Sequence, residues 1–106
     1  MKALKATVTQ WVEDGCPPVV EIQFPVADGK RATLIEKTVM FEGGDDLTAT
    51  TNYPVPVRLG CQVLHTETDP AGGQVAVVML EYDLEDQEGN DEFRVSTELL
   101  EDVAET

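Results

Sequence analysis

Two apolar runs, Val57-Arg58-Leu59-Gly60-Cys61-Gln62-Val63 and Val75-Ala76-Val77-Val78-Met79-Leu80, lie either side of Asp69-Pro70-Ala71-Gly72-Gly73, and their reading decides the fold. In the first, apolar side chains fall on every second residue, which is the period of a half-buried strand. The second is apolar on both parities and rich in valine, as in a strand covered on both faces. The linker offers proline for the second position of a type I turn and glycine where a positive φ is needed, so the chain reverses into a hairpin. Ala76, Val78, Leu80 and Tyr82 are expected to point to the core, because the other parity ends in Glu81. Val75, Val77 and Met79 are then left for another element or another molecule to cover.

Outward from this hairpin the chain continues to read as strands. Leu4, Ala6, Val8 and Val12 alternate with polar residues in a first strand, with Trp11 on the opposite parity, where it would cover a sheet edge or barrel end. The segment from Glu13 to Pro18 holds a glycine and two prolines, which no sheet ladder tolerates in its interior. Val20, Ile22, Phe24 and Val26 form the inward set of a second strand. An Asp28-Gly29 hairpin turn joins it to a third, from about Arg31 to Phe41. The apolar side of that third strand changes midway, as a bulge or sharp bend would require. Residues 42 to 56 have no period of their own, and Tyr53-Pro54-Val55-Pro56 should be extended. A sixth strand is built on Phe93 and Val95. Ser96 or Thr97 then caps a short terminal helix or 3₁₀ turn that would place Leu99, Leu100 and Val103 on one face.

The chain's 106 residues suffice for one domain, residues 1–106, with a single modest core. The expected fold is all-β: a small six-stranded barrel or strongly bent antiparallel sheet, SH3-like or OB-like, closed by a short C-terminal helical turn. No apolar run approaches the roughly 20 residues of a membrane span, and Met1 to Lys5 has no apolar signal core. A soluble, cytoplasmic protein with reduced Cys16 and Cys61 is expected.

Charge is the compositional extreme, at −14 overall. Up to Leu80 there are 10 acidic and 6 basic residues, a balance of −4, whereas from Glu81 onward 11 acidic residues face 1 basic, a balance of −10. Such a field repels nucleic acid and anionic membrane and speeds encounter with a basic partner. The partner-binding set expected from this is Glu81, Asp83, Glu85 and Asp86, then Glu88, Asp91 and Glu92, with Val75, Val77 and Met79 beside them.

Reactive constellations are wanting. Cys61 and His65 lie four residues apart on one strand face, about 13 Å at about 3.3 Å per residue, where a hydrogen-bonded pair needs about 3 Å. Aligning Gly89 with the glycine of a helix-loop-helix calcium site puts Leu84 at the first ligand and Val95 at the last, so that motif fails. Gly43-Gly44 and Gly72-Gly73 lack the helix a phosphate cradle needs. No catalytic residue, cofactor or metal is expected.

The combination of Trp11, Val20-Glu21, Phe24, Asp28-Gly29, Ile35-Glu36-Lys37, Tyr53-Pro54, Cys61 with Val63, and Phe93 resembles a group of small single-domain bacterial proteins of unknown function. The likeness spans most of the chain; it implies a bacterial cytoplasmic source and brings no activity with it. The residues themselves point to a non-catalytic protein-binding module, an adaptor, inhibitor or immunity-type protein whose acidic surface docks on a basic partner. Two alternatives are a homodimer that buries Val75, Val77 and Met79 against their symmetry mates, and a small-molecule site in the barrel mouth rimmed by Tyr53 and residues 42–56.

Overall fold

A computed structural model describes residues 2–44 and 46–102. Seven antiparallel strands run in chain order as β1 (Lys2–Glu13), β2 (Val19–Pro25), β3 (Arg31–Lys37), β4 (Val55–Thr68), β5 (Gln74–Leu80), β6 (Glu92–Ser96) and β7 (Leu100–Asp102). Six of them make one curled sheet in the order β3-β2-β1-β4-β5-β6, and β7 pairs with the start of β1. Among the described residues there is no α-helix, only 3₁₀ turns, and no helix is long and apolar enough to cross a membrane.

The hairpin read from the sequence is β4–β5, with Cys61 opposite Leu80 and Thr68 opposite Gln74. Its turn is closed by the Asp69 carboxylate, which accepts from the amides of Ala71 (2.9 Å) and Gly73 (2.8 Å), while Gly72 takes φ 88°. Ala76, Val78 and Leu80 are buried as expected. Tyr82 is not: the strand ends at Leu80, Tyr82 turns to φ 62°, and its side chain stands 68% exposed.

Two further departures share one cause, which is a slip in strand phase. In β1, register shifts between Val8 and Gln10 and between Trp11 and Glu13 break the alternation. Trp11 therefore packs against the core while Val12 is exposed, the reverse of the parity expected. In β4 a bulge between Val63 and His65 does the same, so buried Cys61 and exposed His65 do not share a face as equal spacing would have them. The third strand ends at Lys37, and its expected bend is a 3₁₀ turn over Thr38–Met40 that delivers Phe41 to the core. At the C-terminus the 3₁₀ turn Thr97–Leu99 forms, with the Glu98 amide donating to Ser96 Oγ at 3.3 Å. No helix continues from it: Leu100–Asp102 instead join β1 as β7, and Val103 lies outside the described residues.

The sheet curls into a half-barrel, and its two ends meet. Ala27, in the β2–β3 turn, donates its amide to the Arg94 carbonyl at 2.8 Å, and Gln87 donates to the Thr33 carbonyl at 3.0 Å. Beneath this seam the rings of Phe24 and Phe93 meet edge to face, centroids 5.0 Å apart, worth about 1 kcal/mol beyond the area they bury. Leu4, Val8, Val20, Ile22, Leu34, Leu59, Val78 and Val95 fill the rest without exposure. The segment 42–56 is pinned to the sheet and core at two points and tied to itself at a third. Glu42 forms a β-bridge with Arg58, Leu47 is buried in the core, and the Tyr53 hydroxyl donates to the Thr48 carbonyl at 2.8 Å.

Gly44 sits where no side chain fits, since a Cβ there would stand 2.1 Å from the Thr38 carbonyl oxygen. Gly44→Ala is therefore expected to destabilise the fold by about 1–3 kcal/mol, the usual cost of overpacking, read as a lowered urea midpoint with an unchanged slope.

Candidate docking face

Strand pairing decides which side chains share the outer surface. Across β4–β5, Gln62 faces Met79 and His65 faces Val77; across β5–β6, Met79 faces Glu92 and Val77 faces Arg94. Directly paired residues lie on one face, so Val77 and Met79 form a half-buried apolar row with an acid against one end of it. The β4 bulge adds Leu64, the extra residue opposite this row, left 42% exposed.

Val75 continues the same parity but is only 2% exposed, so it offers no surface to a partner. Its cross-strand neighbours explain part of this. Arg94 on β6 and Glu67 on β4 reach across β5 and form an ion pair at 2.7 Å, with Val75 and Val77 on the strand between them.

The acids from Glu81 to Glu92 sit where β5 turns into β6. Among the described residues, the cations that make ion pairs find their partners elsewhere: Lys2 with Asp102 at 2.7 Å, Arg58 with Glu101 and with Glu42, and Arg94 with Glu67. Glu81, Asp83, Glu85, Glu88, Asp91 and Glu92 make no ion pair among the described residues, and all but the half-buried Glu81 are exposed.

Asp86 differs from the rest of the set. Its carboxylate accepts from the amides of Glu88 (2.9 Å) and Asn90 (2.8 Å) and from the Asn90 side chain (3.2 Å). Partial desolvation pulls its pKa up, but hydrogen bonds from Asn90, Glu88 and Gly89 outweigh this and hold the carboxyl below the usual aspartate range. Asp86 therefore builds the turn that carries the other acids. Asp69 closes the β4–β5 turn with the same pattern of acceptances, from the second and fourth amides onward.

The connection begins with strain. Tyr82 and Asp83 are successive non-glycine residues with φ 62° and 56°. The left-handed region costs an L-residue about 1–2 kcal/mol. Their effect is to aim Tyr82 outward beside Glu81.

Of the adjacent pair Glu36 and Lys37, Lys37 is exposed and Glu36 half-buried. Burial pushes the Glu36 carboxyl above its ordinary value; Lys37 opposes this and the field of Glu85 adds to it. Cys61 is buried, and its thiol is pushed up to about 11, first by burial and then by Glu81, with Lys2 opposing. At neutral pH it is a protonated, apolar core residue. Among the described residues, no three His, Cys, Asp or Glu side chains gather so as to hold a metal ion.

A mixed-charge cleft of about 450 Å³ lies along the seam, with Lys30, Arg31 and Arg94 facing Asp86, Glu88 and Glu92. A smaller groove of about 280 Å³ opens on the outer face at Gly60, between Val39 and Tyr82. Sequence reasoning missed Leu64 and Tyr82 as surface residues. The adjacent pair Val63-Leu64, which breaks the alternation of the strand, is the signal that would have found the first. Nothing local marks Tyr82, because a tyrosine after an alternating run reads as one more inward position.

No protein-family model, curated protein or solved structure matches the chain.

Two measurements check these environments. A thiol reagent at pH 8 should label Cys16 rapidly in the native protein and reach Cys61 only on unfolding; two fast thiols would contradict the burial of Cys61. A carboxyl harder to ionise in the fold than in the open chain weakens the fold above the ordinary glutamate pKa, and costs nothing where both states are protonated. Glu36→Gln should accordingly raise stability at pH 7, with the gain shrinking to nothing as pH falls below the ordinary glutamate value. Denaturant melts across pH would show it.

Proposed function

We propose that this protein is a non-catalytic binding module, an adaptor, inhibitor or immunity-type protein, whose β4–β5–β6 outer face docks on a basic protein surface. The observation that carries the reading is the register Met79 opposite Glu92. It sets one end of an apolar row, Leu64, Val77 and Met79, directly against Glu92, one of the carboxylates that make no ion pair among the described residues. Apolar side chains on such a face gain by leaving water, and the acids around them select a partner of opposite sign and raise its rate of encounter. A symmetric pairing of two copies is disfavoured by the same charges, since each copy carries −14 and would oppose its acids to their own equivalents.

Affinity capture from the source cells tests the reading. The retained partners should be basic, retention should fall as salt rises, and two substitutions should act differently. Glu88→Gln with Glu92→Gln should mainly slow association, by roughly tenfold or less at low salt, whereas Leu64→Asp should speed dissociation. Acidic partners, or capture indifferent to salt, would remove the proposal. Sedimentation at micromolar concentration, expected to show a monomer, separates it from self-association.

A further inference from the structure

At Gly60 the outer face has a gap. Along one edge of β4, β5 ends where Leu80 faces Cys61, and the edge is next taken up by Glu42, bridged to Arg58. Gly60 lies between these two partners and is paired on its other side with Ala3, so two residues with little or no side chain stand together. Val39 and Met40, from the 3₁₀ turn after β3, line the resulting groove, as does Tyr82. Val39 is 60% exposed and Tyr82 68%.

The charges around this groove are of one uncompensated sign. Arg58 is occupied by Glu101 and Glu42, whereas Glu81 has no ion-pair partner among the described residues. An apolar slot with a tyrosine at one wall and a free carboxylate at its rim suits a long side chain with an apolar stem and a flat cationic head. The stem lies against Gly60 and Val39, and the head stacks on the phenol ring within reach of Glu81. Arginine fits this better than lysine, because guanidinium is planar, stacks on aromatic faces and is more weakly hydrated. The groove also continues the proposed docking face: Glu81 follows Met79 on the same parity of the chain leaving β5, and Gly60 precedes Gln62 on β4.

We infer that the groove at Gly60, walled by Tyr82 and rimmed by Glu81, receives an arginine side chain of the basic partner; this rests on the docking proposal and names its anchor. The left-handed turn at Tyr82 and Asp83 then has a use, since it holds the phenol ring out to meet the guanidinium.

The probe is acetyl-Gly-Arg-Gly-amide, titrated into the whole protein and followed by amide chemical shifts, with citrulline and norleucine peptides as neutral controls. The arginine peptide should shift Ala3, Gly60 and Tyr82 saturably and more weakly as salt rises, and the controls should not. Tyr82→Gly, which removes the ring and suits the backbone, should leave the thermal midpoint where it was or higher. It should weaken the arginine peptide about tenfold, the size of a partly desolvated cation–π contact. Equal binding of citrulline or norleucine, or a lowered midpoint in Tyr82→Gly, would overturn the inference. Retention of a basic partner that Leu64→Asp abolishes and Tyr82→Gly does not would overturn the anchor and leave the docking face standing. Failure to retain any basic partner would sink the docking face itself, whatever the peptide does.

Discussion

The ladder between β1 and β4 is the constraint on which the rest of the structure depends. It runs without interruption from Lys2 opposite Cys61 to Val8 opposite Val55, and it sets Leu4 against Leu59 and Ala6 against Val57 on the core side. Both strands outrun this shared stretch, at 12 and 14 residues, and each lends its remaining length to a different neighbour. The far half of β1 pairs with β2, and the far half of β4 pairs with β5. Curling follows from that arrangement. Two long strands that overlap only in part, each bulged beyond the overlap, carry their outer partners round until the β2–β3 turn touches β6.

This division explains what could be read from the residues alone. Where a strand keeps its phase, as in Val20-Ile22-Phe24 or Ala76-Val78-Leu80, parity and burial agree and the core set follows directly. Where a bulge adds a residue, every side chain beyond it changes face, and parity counted from one end gives the wrong face at the other. Trp11 and Val12 exchange places for this reason, and Leu64 is delivered to the surface. The fate of residues 97–102 turned on a different point. The spacing of Leu99 and Leu100 suits a helical face and a strand after a 3₁₀ turn equally, and what decides is a vacant edge on β1 that only the assembled sheet provides. Of the candidate face, the acids and the two-sided β5 were legible from composition and period. The groove was not, because it is made by the absence of a strand beside Gly60.

Charge is distributed by the same geometry. The ion pairs at Lys2, Arg58 and Arg94 join neighbouring strands or reach across one, so these cations lie where strands need to be held in register on an exposed face. Each such pair is worth little to stability, of the order of 0–1 kcal/mol. Their larger effect is to offset charge locally, at Asp102, Glu42, Glu101 and Glu67. The carboxylates between β5 and β6 are then a localised source of potential rather than part of a uniform one, and a localised source is what orients an approaching partner.

For such a source to act it must also be held in place, and seven carboxylates within twelve residues would by their own repulsion favour an expanded chain. The structure resolves this by using one acid against the others' disorder. Asp86 turns its carboxylate inward onto the amides of Glu88 and Asn90, Gly89 takes φ 83° to complete the turn, and Gln87 ties the turn to the edge of β3 at Thr33. The negative charge of Asp86 is stabilised by those N–H groups, so its ionisation tightens the loop where the ionisation of its neighbours would loosen it. Glu85, Glu88, Asp91 and Glu92 thereby project from a fixed turn, and a partner that meets them has less chain entropy to remove. The acidic turn beside a half-buried apolar row is the arrangement on which the docking proposal rests, and solubility alone would have needed neither the turn nor the row.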